Sequence, residues 1–146
     1  MSARTENLSI ELDSRNKVEL IVQGIEGDRP ILVLAHGAGN DMRHPFFEQI
    51  AGGLLDAGIG VVRFNFPYRT AGRKIPDREP VLRKAWVEVV HLVQRRYAPD
   101  SLFIGGKSMG GRIAALVAPE LAGLRGLVFL GYPLHPPGKP DQLRDA

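Results

Sequence analysis

Leu102-Phe103-Ile104-Gly105-Gly106-Lys107-Ser108-Met109-Gly110-Gly111-Arg112-Ile113-Ala114 is the stretch that decides how this chain reads. Leu102-Phe103-Ile104 is a short apolar run of strand type. Arg112 to Ala118 reads as a short helix of small apolar residues, beginning near Met109. Between them, one serine stands at the centre of a G-x-S-x-G pattern on a strand-to-helix turn. A turn that tight strains the backbone of any residue with a Cβ, so the residues two positions away must be small. Gly106 and Gly110 meet that need, and Gly111 lets the helix approach the strand closely. The Ser108 hydroxyl then stands clear of the sheet, at a helix N-terminus that favours developing negative charge. Glycine-rich turns are also formed for purely structural reasons. A phosphate-binding loop is a poor fit: it needs glycine where this chain has Ser101, and an open loop where it has Leu102-Phe103-Ile104.

Working outward, the segments on either side alternate between strand and helix periods. Leu8, Ile10 and Leu12, then Val18, Leu20 and Val22, each read as a strand with one buried face, joined by a turn at Asp13 to Lys17. Ile31-Leu32-Val33-Leu34-Ala35 is apolar without alternation, which suits a strand covered by helices on both faces. Phe46, Phe47, Ile50, Ala51, Leu54 and Leu55 recur at helical spacing, with Gly58 to close the helix. Val61 to Phe66 is the next strand, with Arg63 and Asn65 on one face and Val62, Phe64 and Phe66 on the other. Pro67 to Pro80 reads as a polar loop. A helix follows from about Val81 to Tyr97, with Leu82, Ala85, Trp86, Val89 and Val93 as its apolar stripe. Leu127-Val128-Phe129-Leu130 is the last strand, and the chain from Pro133 onward reads as loop or tail. The predicted fold is α/β: a mostly parallel sheet in the order 1-2-4-3-5-6, helices on both faces, and an antiparallel leading hairpin. The whole of 1–146 forms one domain.

Composition sets the outer bounds. Lys and Arg number 19 against 16 Asp and Glu, a net charge of +3. The basic residues are scattered rather than clustered, which speaks against a nucleic-acid partner. There is no cysteine, so disulfides, thiolate metal sites and cysteine nucleophiles are excluded. The first residues lack the apolar run of a signal peptide. No apolar stretch approaches the roughly 18 to 20 residues needed to span a bilayer. The expectation is a cytoplasmic protein with no membrane partner, metal or cofactor.

A second motif follows the first buried strand. His36-Gly37-Ala38-Gly39 is a flexible turn, and it fails as a dinucleotide loop because Met42 stands where a third glycine belongs. At this strand end it can aim the Ala38 N–H at the same point as the Met109 N–H. Two amides converging on a developing oxyanion lower a barrier by several kcal/mol between them. His36 by itself reads as a histidine that anchors the loop. Lys107, Arg63 and Arg69 suit anionic substrates, or are simply solvated charges.

Ala35-His36-Gly37-Ala38-Gly39, Arg63-Phe64-Asn65-Phe66-Pro67-Tyr68, Gly105 to Gly111 and Gly131-Tyr132-Pro133-Leu134-His135-Pro136-Pro137 together resemble the α/β-hydrolase superfamily. The resemblance is greatest to its small bacterial members near the dienelactone hydrolases. A hydrolase-like domain in a subunit of a eukaryotic histone-acetylating complex is similar, so the subgroup includes members not known primarily as enzymes. The resemblance runs from about Leu8 onward. It implies an esterase or related acyl hydrolase acting on a small-molecule acyl substrate, with Ser108 as nucleophile and Ala38 and Met109 as oxyanion donors.

Family members carry two further strands, whose loops supply the acid and then the histidine of a catalytic triad. No segment here matches either loop, so the chain reads as C-terminally incomplete and lacking those strands. Of its histidines, His91 reads as a surface residue of the long helix. His44 lies in the loop above the sheet, and His135 follows the last strand at a structural turn of the subgroup. Asp100 lies at the far end of the nucleophile strand. Without a base, a serine is a poor nucleophile at neutral pH. Two readings therefore stand: a serine hydrolase inactive as this isolated chain, and a non-catalytic interaction or scaffold protein that retains the turn by inheritance. The apolar edge at Leu127–Leu130 invites strand pairing, as a self-paired dimer, a domain-swapped form or capture of a separate fragment.

Overall fold

A computed structural model describes residues 4–131. Six strands form one sheet in the order β1-β2-β4-β3-β5-β6. These are β1 (Thr5–Glu11), β2 (Lys17–Gln23), β3 (Ile31–Ala35), β4 (Gly60–Asn65), β5 (Leu102–Lys107) and β6 (Leu124–Leu130). The helices are α1 (Pro45–Asp56), α2 (Pro67–Thr70), α3 (Glu79–Tyr97) and α4 (Met109–Val117), with a 3-10 turn at Ala118–Glu120. The strand order matches the expectation from the alternating periods. β1 pairs antiparallel with β2, and β2 antiparallel with β4. The pairs β4/β3, β3/β5 and β5/β6 are parallel. The β1–β2 turn is closed by Asp13, whose carboxylate accepts the Arg15 and Asn16 N–H groups at 2.8 and 2.9 Å.

The unalternating β3 is buried along its whole length because both of its faces are covered. On one side Val33 and Ala35 join Val62, Phe64 and β2 residues against α3 and α4, including Leu82, Trp86, Val89 and Ile113. On the other, Leu32, Leu34 and Val61 pack against Phe47 and Ala51 of α1. Gly58 sits just past α1 with φ +83°, the left-handed backbone glycine takes at little cost.

Several boundaries differ from the sequence reading. β5 runs to Lys107, three residues beyond Ile104, because Gly105 and Gly106 pair in register with Leu34 and Ala35 of β3 and with Val128 and Phe129 of β6. A Cβ on Gly105 would lie 1.9 Å from the Val128 carbonyl oxygen, so bare backbone is what lets the strand continue. β6 likewise starts three residues earlier than expected. α3 begins at Glu79, with Pro80 in its first turn where a missing N–H costs nothing. The expected loop after Pro67 contains the one-turn helix α2.

The polar face of β4 is also buried. Arg63 is 2% exposed and Asn65 5%. Among the described residues β6 is the last strand of the sheet, and Leu127 and Phe129 are 39% and 43% exposed on it. No helix among the described residues is long and apolar enough to cross a membrane.

Candidate active site

Ser108 is the single residue between the last position of β5 and the first of α4, with φ 52° and ψ −115°. That conformation costs a residue with a Cβ on the order of 1–3 kcal/mol, so its surroundings must impose it. They do so through the backbone on both sides. The Ser108 N–H donates to the Gly131 carbonyl at 3.0 Å, extending the β5/β6 ladder, and the Ser108 carbonyl accepts the Arg112 N–H at 2.9 Å to start the helix.

The flanking glycines make room for this geometry. A Cβ on Gly106 would lie 2.4 Å from the Ala35 carbonyl oxygen. One on Gly110 would lie 2.5 and 2.6 Å from the carbonyl oxygens of Ala35 and His36, and one on Gly111 2.8 Å from that of Gly106. The first turn of α4 therefore lies directly on the ends of β3 and β5. From α3, the buried Trp86 indole N–H donates to the Gly110 carbonyl at 3.1 Å and holds that turn down.

The turn after β3 meets the serine directly: a Cβ on Gly37 would lie 3.3 Å from the Lys107 carbonyl oxygen and 3.5 Å from the Ser108 Cβ. The Gly37 N–H donates to Asn40 Oδ1 at 2.9 Å. His36, 1% exposed, uses both ring nitrogens. Its Nε2 lies 3.1 Å from the Phe66 amide nitrogen, and its Nδ1 lies 2.7 Å from the Gly37 carbonyl oxygen. A backbone N–H can only donate, so Nε2 accepts and the proton resides on Nδ1. Burial pushes the His36 pKa down from 6.5 to about 4, so the ring is neutral at pH 7. His36 is the loop anchor expected of it, with no ring nitrogen left for proton transfer.

Residues to which the sequence alone gave no such structural role hold the rest of this turn. The Tyr68 hydroxyl donates to the Ala38 carbonyl at 3.2 Å. Asn65 Oδ1 accepts the Met42 N–H at 2.8 Å, and Arg63 donates to the Met42 carbonyl at 2.9 Å. Arg63 also reaches Gln23 Oε1 at 2.9 Å and Glu48 at 3.1 Å. It is thus neither a solvated charge nor free to bind a substrate anion. Arg69 pairs with Asp41 at 3.3 Å. Burial acts to raise the Asp41 carboxyl, but the Arg43 N–H and the Arg69 guanidinium outweigh it and hold the group below the usual carboxylate range. The Lys107 ammonium sits 4.5 Å from the centre of the Phe46 ring. Only the strand alternation of Arg63 and Asn65 hinted at these roles, since it set a polar face on a central strand.

Ser108 is half-buried, and among the described residues its hydroxyl has no hydrogen-bond partner. The Ala38 and Met109 N–H groups likewise donate to no described acceptor. His44 is exposed, and its Nδ1 accepts the Phe46 N–H at 3.1 Å as the cap of α1. His91 is exposed on α3, and Asp100 is exposed before β5. His135 lies outside the described residues. Among the described residues no cluster of three or more His, Cys, Asp or Glu side chains could hold a metal ion.

A mostly parallel sheet with helices on both faces and a strained serine between strand and helix defines an α/β-hydrolase-type fold. Residues 28–146 match the alpha/beta hydrolase domain model, and the chain belongs to that family. A dienelactone hydrolase from Anabaena variabilis is similar in structure, with TM-score 0.75 and 18% identity over 90% of this chain and 65% of that one. An α/β serine hydrolase without a lid from Xanthomonas campestris has TM-score 0.73 and 20% identity, over 96% of this chain and 66% of that one. An α/β serine hydrolase homologue from Coxiella burnetii has TM-score 0.70 and 21% identity, over 85% and 61%. The chain therefore spans somewhat less than two thirds of the length of each of these solved structures.

Proposed function

We propose that this chain is the nucleophile-bearing portion of a serine hydrolase acting on an ester or related acyl substrate. The observation that carries this reading is the backbone of Ser108: φ 52° between strand and helix, in contact with the 36–39 turn. Strain of this kind persists only where the surrounding structure imposes it, and it sets the serine out from the sheet. In the proposed reaction Ser108 Oγ attacks the acyl carbon as its proton leaves, and the carbonyl oxygen becomes the oxyanion of a tetrahedral intermediate. The N–H groups of Ala38 and Met109 donate to that oxyanion. Collapse passes that proton to the departing alkoxide, releasing the alcohol and leaving an acyl-serine. Water then attacks the acyl carbon, the carboxylic acid leaves, and a proton returns to Ser108 Oγ.

No side chain among the described residues accepts the Ser108 proton. For that reason we propose that residues 1–146 turn over esters at or near background. The same observation favours a second reading, a non-catalytic hydrolase-like scaffold in which the turn is retained for structure alone.

Reaction with a fluorophosphonate separates the two. It demands a single attack on a strongly electrophilic phosphorus rather than repeated turnover. Adduct formation at Ser108, located by peptide mass spectrometry and absent in Ser108→Ala, is expected of the hydrolase. A chain that stays unmodified after long incubation, both alone and with a supplied segment carrying the triad's acid and histidine loops, is a scaffold.

A further inference from the structure

We infer that Phe66-Pro67-Tyr68, at the end of β4 and in α2, is the device that sets the direction of the Ala38 N–H, with Tyr68 as a positioning residue for the oxyanion site. The inference rests on the hydrolase reading proposed above. It begins with a weakness in the 36–39 turn: Ala38 and Gly39 are exposed, and a Cβ on Gly39 would touch nothing within 4 Å. Packing leaves that side of the turn open. The orientation of the Ala38 N–H must come from hydrogen bonds.

Each of the two peptide planes flanking Ala38 has such a bond. In the first plane, the Gly37 carbonyl accepts from His36 Nδ1 at 2.7 Å and from the Asn40 N–H at 3.4 Å. A trans peptide points its C=O and N–H in opposite directions, so fixing the Gly37 oxygen fixes the Ala38 N–H. In the second plane, the Ala38 carbonyl accepts from the Tyr68 hydroxyl at 3.2 Å. With both planes held, φ and ψ of Ala38 are fixed.

Both restraints trace to one short segment. The Phe66 N–H occupies His36 Nε2 and so places the proton on Nδ1, where it meets Gly37. Phe66 and Tyr68 also pack edge-on against the His36 ring, with centroids 5.1 and 5.7 Å away. Pro67 opens α2 with a φ already suited to a helix. The Asp77 carboxylate, 7% exposed, then accepts the Tyr68 N–H at 2.9 Å and holds the helix in place.

Tyr68 also belongs to the hydrophobic core, and a ring that merely fills space would look the same except at its hydroxyl. Tyr68→Phe isolates that atom. Tyr97→Phe is the control, because it removes a comparable hydroxyl bond, to Glu6 at 3.1 Å, on the far end of α3. For Tyr68→Phe, the first-order rate of phosphonylation at Ser108 is expected to fall about tenfold, less than for losing an oxyanion donor outright. The half-saturating fluorophosphonate concentration and the far-ultraviolet spectrum should be unchanged. Backbone 15N relaxation should show the Ala38 amide gaining motion on the ps–ns scale in this variant. Tyr97→Phe should match the wild type in all of these.

If Ser108 is labelled and Tyr68→Phe matches the wild type in rate and in Ala38 rigidity, the hydrolase reading stands and this inference is overturned. If a lower thermal midpoint accompanies an unchanged labelling rate, Tyr68 is structural only, and the inference again fails. If wild-type Ser108 is never labelled, the hydrolase reading fails and the inference falls with it.

Discussion

Acidification should expose the cost of keeping His36 neutral. In the folded chain both ring nitrogens are committed, Nε2 as an acceptor, and burial lowers the pKa from 6.5 to about 4. Protonating the ring would put a second N–H against that of Phe66. Between pH 6.5 and about 4, the unfolded chain takes up a proton at His36 that the folded chain does not. Stability therefore falls as pH falls through this window, and His36 contributes no pH dependence above it. The gap between the two values, at about 1.4 kcal/mol per pH unit, corresponds to a total loss of about 3 kcal/mol below pH 4. Urea unfolding from pH 7.5 to 4 measures the loss. Carboxylates titrate in the same range, so the wild-type curve must be compared with that of His36→Gln, which lacks the imidazole. The variant should be less stable at pH 7.5, yet lose less on acidification, by up to about 3 kcal/mol. Imidazole 15N spectra should show an Nδ1–H tautomer that stays neutral to about pH 4. A His36 that titrates near 6.5, or that carries its proton on Nε2, would refute the reasoning.

Three further outcomes are expected. Hydrolysis of an activated ester such as p-nitrophenyl acetate by residues 1–146 should match Ser108→Ala and stay near the uncatalysed rate; robust turnover abolished by that substitution would reveal a base, with His135→Ala the next variant to assay. Gly110→Ala should lower unfolding stability by roughly 3 kcal/mol or more, at the upper end for overpacking, because its Cβ would lie 2.5 Å from the Ala35 carbonyl oxygen and backbone cannot rotate away. We also propose that β6 pairs with β6 of a second copy, since it is the last strand of the described sheet and Leu127 is exposed on it. Light scattering should then show a dimer that Leu127→Lys weakens, whereas a wild-type monomer at all concentrations would rule out the pairing.

Much of the fold was legible because its signals are local. The unbroken apolar run Ile31–Ala35 required cover on both faces, and the structure buries all five residues. The shift from period 2 to period 3.6 and back placed the helices between the strands and called for a mostly parallel sheet with right-handed crossovers. The parallel pairing of β3 with β4 and β5, and of β5 with β6, bears out that sheet. The turn at Ser108 was legible for the same reason: glycines at fixed offsets state a steric demand that needs no distant partner to be recognised.

What only the tertiary structure decided depends on residues far apart in sequence. Gly105 and Gly106 carry no side-chain pattern, so nothing local marked them as strand; their pairing with β3 and β6 did. Alternation along β4 set Arg63 and Asn65 on one face, but not what that face meets. The chain folds Met42 over it, 21 and 23 residues away, and turns two polar side chains into buried anchors. Tyr68 lay in a segment that read as polar loop, and the distance that gives its hydroxyl a role spans 30 residues, to Ala38. Periodicity records which face of an element is apolar. Which loop a buried polar side chain holds is settled only when the sheet brings the two together.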